Sequence, residues 1–449
     1  MSKVLWDKGY SIDERMQQLT VGKDIILDKE LVIWDCIGSA VHAKMLHSIG
    51  LLTRDELSGL LVELKKIYER GQKKEIEIPF ELEDVHNVIE NILSENLGDI
   101  GLKIHAGRSR NDQILVTTRL YLRNMLLEWI GALIHIIHVF FTRYDEVKNI
   151  GMPGYTHMQP AMPSSVGMWL HAFIEGLLEL IQEGLMLYEI VNKNPLGASA
   201  GFGSNLNLNR ELTTSLLGFL KVQRSPIDCN NSRGRYELKI VQFGAAAASL
   251  FEKFACDVML YTTREYGFFK LADGLTTGSS IMPQKKNYDI AELLRGRASK
   301  IRSAASEIEW IIAKLTSSYN RDFQYTKEPV IRADHEFRDI IDMVDIIISN
   351  LQVNQERLNE VMYPDLYATY EANRLAESGV PYRKAYREVA RKVLGDGYEA
   401  IINKNDFAVV EQQTQKYVED AGKELTELEE KFNSVFEEKK KIEAEIFRN

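Results

Sequence analysis

The spacing of proline constrains the fold of this 449-residue chain more than any other feature. Proline is excluded from helix interiors because it lacks an amide proton and its ring collides with the preceding turn. Only ten prolines are present, and long proline-free intervals lie at 80–152, 227–282, 284–328 and 382–449. We therefore expect the longest helices inside these intervals.

Four segments show the periodicity of such helices, with apolar residues at i, i+3 and i+4. They cover residues 114–147, 164–193, 236–266 and 288–318, and each is far longer than the usual mean of about 11 to 12 residues. Runs such as "GAAAASLF" and "GALIHIIHVFF" are apolar on more than one face, so they must be buried on several sides. The sequence predicts an all-α protein with a long central helical bundle that assembles with further copies through that bundle.

The regions on either side of the bundle are predicted to form two smaller helical domains. The expected division is an N-terminal helical domain at 1–107, the central bundle at 108–360 and a C-terminal helical domain at 361–449. The final segment, 422–449, is highly charged and is expected to form a solvated helix. No strand-rich region and no internal repeat is evident in the sequence.

Charge and cysteine content narrow the classes of function. The net charge is −10, which disfavours nucleic acid or a membrane surface as the partner because both attract a basic face. The most apolar stretch, 124–141, contains Glu128 and two histidines, so a buried helix explains it better than a membrane span. Three widely separated cysteines and a charged N-terminus without an apolar core predict a cytoplasmic protein without a disulfide or metal site.

Polar residues concentrate in four segments beside the predicted long helices. These are "HAGRSRNDQ" at 105–113, "GYTHMQPAMP" at 154–163, "GSSIMPQKKN" at 278–287 and "YNRDFQYTKE" at 319–328. Basic and amide donors at a helix N-terminus suit a carboxylate or phosphate, but the first segment is equally compatible with a simple helix cap. His157 is either a general acid or base or a structural turn residue, and 278–287 is either a functional loop or a flexible connector.

Together the four segments resemble the fumarase/aspartase superfamily and, within it, the argininosuccinate lyase family. Weaker matches at 35–46, 83–90, 194–204 and 375–386 extend the resemblance over nearly the whole chain. The resemblance implies three mostly helical domains, a central five-helix bundle, and four copies that form a twenty-helix core. It implies that each active site is built from the polar segments of three different subunits. It also implies β-elimination of argininosuccinate to arginine and fumarate, with this small molecule as substrate, without metal or cofactor.

The resemblance further implies a role for five catalytic residues. Ser279, the first serine of the loop at 278–287, matches the general base, and Lys285 and Asn287 match the groups that stabilise the aci-carboxylate intermediate. His157 matches the residue that assists as acid, and Glu292 matches the carboxylate that orients it. The loop is interpreted as a lid whose closure excludes water from the site.

The remaining matched positions are implied to bind substrate. Ser109, Arg110, Asn111 and Thr156 match residues that hold the succinyl carboxylates. Tyr319, Gln324 and Lys327 match residues that hold the carboxylate and amine end of the arginine part. Three further positions complete the substrate-binding set: Asp28 beside the arginine part, His86 at the border of the site, and Gln159.

Five positions depart from the family pattern, namely Pro160, Met162, Gly234, Tyr288 and Tyr386. In particular, the segment "NSRGRYE" at 231–237 lacks the acidic residues that usually flank Arg233. Binding residues set substrate choice, so the alternative is another N-substituted aspartate lyase of the superfamily. A non-catalytic, crystallin-like structural homologue is a further alternative.

Overall fold

A computed structural model describes residues 13–395, 398–400 and 404–448 of the chain. Within these ranges the protein is predominantly helical, which confirms the all-α prediction. The α-helices are α1 (Glu14–Val21), α2 (Asp24–Leu27), α3 (Val32–Ser48), α4 (Arg54–Gln72), α5 (Val85–Leu97), α6 (Asp99–Leu102), α7 (Arg110–Val147), α8 (Val166–Val191), α9 (Arg210–Leu216), α10 (Pro226–Asn231), α11 (Arg235–Tyr261), α12 (Asp289–Ile312), α13 (Lys327–Asn350), α14 (Gln355–Glu360), α15 (Ala368–Glu377), α16 (Tyr382–Val393) and α17 (Lys404–Glu445). Short 3-10 turns occur at Asp28–Leu31, Phe80–Leu82, Lys103–His105, Asp273–Leu275, Arg321–Thr326 and Pro364–Tyr367.

Five long helices, α7, α8, α11, α12 and α13, form the predicted central bundle. Side-chain caps define where two of them begin. The Ser109 hydroxyl accepts from the backbone of Asn111 at the start of α7, and the Ser165 hydroxyl accepts from Met168 N at the start of α8. Such caps satisfy backbone amides that have no partner inside the helix. Inside the bundle, Trp129 stacks on Phe337 with ring centroids 4.2 Å apart.

Each of the five helices runs antiparallel to the next one along the chain, whereas α7 and α13, which also pack together, run parallel. The contacts Arg302–Glu252 and Arg295–Cys256 place α12 antiparallel to α11. The ion pairs Arg297–Glu336 and Arg332–Glu307 place it antiparallel to α13. We define the proximal end as the end where α7, α11 and α13 begin, and the distal end as the end where α8 and α12 begin. At about 1.5 Å per residue, the 24 residues of α12 separate the two ends by roughly 36 Å.

Three two-stranded sheets were not expected from the sequence. Antiparallel β1 (Gly151–Thr156) and β2 (Gln159–Ser165) form a hairpin at the distal end, β3 (Lys193–Asn194) pairs in parallel with β4 (Lys221–Val222), and β5 (Phe269–Leu271) pairs antiparallel with β6 (Leu351–Val353). The hairpin turns at His157 and Met158, which have positive φ of 52° and 62°. Positive φ at both central residues is the geometry of a tight hairpin turn.

The long helix α17 runs along α7 and α8. It buries Leu425 and Leu428, and the Lys439 ammonium donates to the side-chain Oδ1 of Asn124 in α7 over 2.8 Å. Beyond its end, the ring of Phe447 lies 5.1 Å from that of Tyr68. The helix was predicted correctly, but the expectation of a solvated helix was wrong because one face is packed on the bundle.

Helix α7 is, among the described residues, the one helix with the length and apolar composition to cross a membrane. Half of its most apolar window is buried against other parts of the chain. Arg119 and Arg123 lie within the same helix and donate to the backbone oxygens of Lys193 and Leu217. These features are typical of a helix at the core of a bundle, as the sequence indicated.

Candidate active site

A cavity of about 210 Å³ lies at the proximal end of the bundle. Its walls combine the N-terminal helices, the start of α7, the loop before α11 and the segment at 319–328. Six of the residues predicted for the site line this one cavity: Asp28, His86, Arg110, Tyr319, Gln324 and Lys327. They come from four separate parts of the sequence, so only the tertiary fold brings them together.

A buried charge cluster forms one wall of the cavity. The Lys327 ammonium lies 2.6 Å from Oδ1 of Asp28 and 2.8 Å from Oδ1 of Asp24. Burial raises the pKa of Asp24 to about 6 although Lys327 opposes the rise. Burial would lower the pKa of Lys327, but the carboxylates of Asp28 and Asp24 outweigh it and raise that pKa. When both carboxyls are ionised the cluster carries one excess negative charge, which suits a cationic part of a ligand.

The start of α7 presents donors on another wall. Arg110 donates from Nη2 to Oδ1 of Asn87 over 2.8 Å and from Nη1 to Oε1 of Gln113 over 2.9 Å, which holds its guanidinium in place. Ser109 and Asn111 flank it at the first turn, where the helix dipole favours an anion, although their backbone amides are already capped by the side chains of Asp112 and Ser109. This arrangement suits a carboxylate.

His86 borders the cavity but is buried on its other side. Its Nδ1 lies 3.1 Å from Oδ2 of Asp35, which also accepts from the Gln113 amide. Burial would raise the pKa of Asp35, but His86, Arg108 and Gln113 outweigh it and lower that pKa to about 2. His86 and Asp35 thus form part of the polar scaffold behind the cavity.

The segment at 319–328 closes the cavity toward the N-terminal helices. The Gln324 amide donates to the backbone oxygen of Thr20 over 2.9 Å, and Arg321 donates to the same oxygen over 3.1 Å. Tyr319 is partly exposed beside them. The position of α1 relative to the bundle therefore depends on this predicted site segment.

The other predicted residues lie at the distal end. Thr156, His157 and Gln159 occupy the exposed tip of the β1–β2 hairpin. The Tyr155 ring beside them packs 5.4 Å from that of Tyr266, which follows α11. Glu292 is exposed on the first turn of α12, and among the described contacts no hydrogen bond joins it to His157.

The loop at 278–287 is anchored at its base and exposed at its tip. Backbone hydrogen bonds of 3.0 and 2.9 Å join Thr277 to Asn287, and the exposed tip includes Lys285 and Ile281. The Ser279 Oγ accepts from the backbone amides of Ile281 and Met282 over 3.3 and 3.1 Å. Two amide donors stabilise negative charge on that oxygen, which suits Ser279 to a role as base.

The predicted residues therefore fall into two groups at opposite ends of one chain. The proximal group surrounds the cavity, and the distal group lies roughly a helix length of 36 Å away. Several residues that line the cavity were not among the predicted site residues, and the charged side chains of Asp24 and Arg233 are two of them. The signal for Asp24 was its spacing of four residues from Asp28, which places both carboxyls on one side of a helical turn.

Comparison with known proteins identifies relatives of this chain. Residues 11–303 match the model of a family described as lyase. The chain is 41% identical over 389 residues to an argininosuccinate lyase of Bacteroides fragilis, covering 87% of each chain. It is 39% identical over 391 residues to one of Stenotrophomonas maltophilia, covering 87% of this chain and 90% of the other.

Two solved structures share the fold at low sequence identity. A structure of EDDS lyase in complex with formate superposes with a TM-score of 0.80 at 22% identity, over 98% of this chain and 95% of that one. A class II fumarase from Schistosoma mansoni gives a TM-score of 0.66 at 17% identity, over 83% of this chain and 91% of that one. Both likenesses support the three-dimensional arrangement described above.

Proposed function

This chain belongs to the argininosuccinate lyase family, and from that membership we propose that it cleaves argininosuccinate into arginine and fumarate. The observation that carries the proposal is the charge pattern of the cavity. Lys327, Asp28 and Asp24 form a cluster with a net negative charge on one wall of the cavity, and the donors around Arg110 lie on another wall. Argininosuccinate carries a cationic arginine part and a dicarboxylate part, so it needs both kinds of surface.

The first chemical step removes a proton from the carbon beside a succinyl carboxylate. Ser279 takes this proton, and the amides of Ile281 and Met282 stabilise its oxygen as the base. The electron pair of the broken C–H bond moves into the carboxylate and gives a dianionic aci-carboxylate. Lys285 and Asn287 of the same loop stabilise the added charge, and such stabilisation contributes most of the rate enhancement in many enzymes.

The second step breaks the bond between carbon and the guanidino nitrogen. The electron pair of that bond leaves with the nitrogen, and the pair held in the aci-carboxylate forms the double bond of fumarate. His157 gives the departing nitrogen its proton, and the family resemblance assigns Glu292 to orient it. Arginine and fumarate are the only products, so the balance requires no other reactant.

We further propose that the enzyme works in the cytoplasm as a homotetramer. Ser279 and His157 lie at the distal end, whereas the cavity lies at the proximal end of the same chain. Side chains cannot bridge roughly 36 Å. Copies packed antiparallel through the bundle bring the distal loop of one subunit to the proximal cavity of another, as the family resemblance implies.

The activity is tested by incubating purified protein with argininosuccinate and following the absorbance of fumarate. We expect Ser279→Ala to fold normally and to lose activity by about 10²- to 10⁴-fold, because it lacks the base. Ser280→Ala is the matched control and should keep most of the activity. A folded wild-type tetramer that forms no fumarate contradicts the proposed function. A panel of N-succinyl amino compounds then identifies the preferred amine.

The shared site is tested by mixing two inactive variants. Ser279→Ala is defective at the distal end, and Asn111→Ala is defective at the proximal end. After joint unfolding and refolding in equal amounts, random tetramers should recover up to about a quarter of wild-type activity, because that fraction of sites combines two intact groups. Each variant refolded alone is the control. An inactive mixed tetramer contradicts the shared site while leaving the activity itself untouched.

A further inference from the structure

Arg233 is a buried cation of the cavity that has no carboxylate partner. Its side chain is 6% exposed, and it lines the cavity from the loop just before α11. Its Nη2 donates to the backbone oxygen of Phe323 over 3.4 Å, and its Nε has no hydrogen-bond partner. Among the described residues, no Asp or Glu oxygen lies within 4.0 Å of this guanidinium. Asp24 and Glu237 act on this guanidinium only at longer range, so no ion pair uses its hydrogen-bonding groups in the free protein.

The other cations of the cavity differ from Arg233 in this respect. Lys327 is paired with two carboxylates, and Arg110 lies 3.3 Å from Oε1 of Glu90. Arg321 is exposed and is therefore solvated. Among these cavity cations, Arg233 is thus the one that is buried and forms no ion pair, so its guanidinium is available to a ligand.

The space behind Arg233 cannot accommodate that ligand. A second cavity of about 10 Å³ lies there, lined also by Glu237 and Thr118, and this volume holds at most about one water. Burial raises the pKa of the Glu237 carboxyl, so it compensates the guanidinium less than an ordinary glutamate does. An anion large enough to be a substrate group can reach Arg233 only from the 210 Å³ cavity.

We propose that Arg233 binds the α-carboxylate of the arginine part of the substrate and thereby selects an α-amino acid as the leaving amine. This inference rests on the proposed lyase activity. The cluster of Lys327, Asp24 and Asp28 in the same cavity has the excess negative charge that an α-ammonium group requires. Burial raises the pKa of Asp24, and Arg233 is among the cations that oppose the rise, so the two side chains lie within electrostatic range. An α-amino acid carries a carboxylate and an ammonium on one carbon, so the carboxylate can contact Arg233 while the ammonium contacts the cluster of Lys327, Asp24 and Asp28.

The reverse reaction provides the test, because its amine can be varied. Fumarate consumption is measured with arginine and with agmatine, which is arginine without its α-carboxylate. We expect wild-type kcat/KM for arginine to exceed that for agmatine by about 10- to 100-fold, the usual effect of a charge-assisted hydrogen bond. Arg233→Met should reduce this preference to within about 3-fold, mainly by lowering kcat/KM for arginine.

Arg235→Met is the matched control, because Arg235 lies two residues further along the chain, is paired with Asp228 and does not line the cavity. It should keep the wild-type preference. If Arg233→Met does not fold, Arg233→Gln removes the charge while keeping a donor and allows the same comparison. An Arg233 variant that loses activity equally with both amines overturns the inference, since that result indicates a structural role. Wild-type protein that consumes fumarate with neither amine overturns the lyase proposal and this inference with it.

Discussion

Lys327 should be the residue of the cavity on which folding depends most. Its ammonium lies 2.6 Å from Asp28 and 2.8 Å from Asp24, and its side chain is only 7% exposed. At an effective dielectric constant of about 20, unit charges 2.6 Å apart attract by roughly 6 kcal/mol. Desolvation cancels part of this attraction, so we expect Lys327→Met to lower the free energy of unfolding by about 3–5 kcal/mol, since it leaves buried carboxylates unpaired.

The same change should make stability depend more strongly on pH. A carboxyl whose pKa is raised by folding holds its proton more tightly in the folded state, so stability falls as pH rises through the shifted range. For Asp24 in the wild type, that range extends from 3.8 to about 6. Without the Lys327 ammonium the upper limit of this range rises. The decrease in the free energy of unfolding caused by Lys327→Met should therefore be larger at pH 8 than at pH 5.

Urea unfolding followed by circular dichroism measures both effects at one fixed protein concentration, because assembly contributes to apparent stability. Lys23→Met is the matched control. Lys23 also lies 2.6 Å from a carboxylate, that of Glu328, but the two side chains are 65% and 38% exposed, so its loss should be below about 1 kcal/mol. Equal losses in the two variants would refute the reasoning that burial, rather than distance, decides the energy.

Three further outcomes follow from the described contacts. The pKa of Asp35 is lowered from 3.8 to about 2, so its ionised form stabilises the fold above pH 3.8. This stabilisation, roughly 2 kcal/mol, is lost as pH falls toward 2. Acid unfolding followed by fluorescence should show no such loss in Asp35→Asn. The wild-type kcat/KM for argininosuccinate should rise as pH passes about 6 and Asp24 ionises, and a pH profile of Asp24→Asn should lack that rise. A Cβ at Gly244 would collide with the Trp129 ring, with Cη2 only 2.8 Å away, so Gly244→Ala should cost about 1–3 kcal/mol in thermal unfolding. Gly422→Ala, where no atom lies within 4 Å, should be neutral or slightly stabilising.

The long helices were predictable because their causes are local. Proline spacing and apolar periodicity placed helices at 114–147 and 288–318, and the structure has Arg110–Val147 and Asp289–Ile312. The β1–β2 hairpin was not predictable in the same way. Three prolines interrupt its strands, and its turn uses His157 and Met158 rather than glycine or asparagine, so neither the strands nor the turn carries the usual signal.

The face of α17 that packs on the bundle was also not predictable from its charge. Charged residues dominate its sequence, yet Leu425 and Leu428 are buried and the Lys439 ammonium reaches Asn124 of α7. A long side chain can cover apolar surface while its charged group finds a polar partner. High charge alone therefore does not show that a helix is solvated.

The amino-acid sequence by itself determined the fold class, the family and the polar segments in which the site is predicted. These depend on local patterns and on motifs that lie within a few residues of one another. Only the tertiary structure decided how those segments are grouped, because contacts between residues hundreds of positions apart leave no local signal. It joined Lys327 to Asp24 and Asp28, left Arg233 without a carboxylate, and placed Ser279 at the opposite end of the bundle from the cavity.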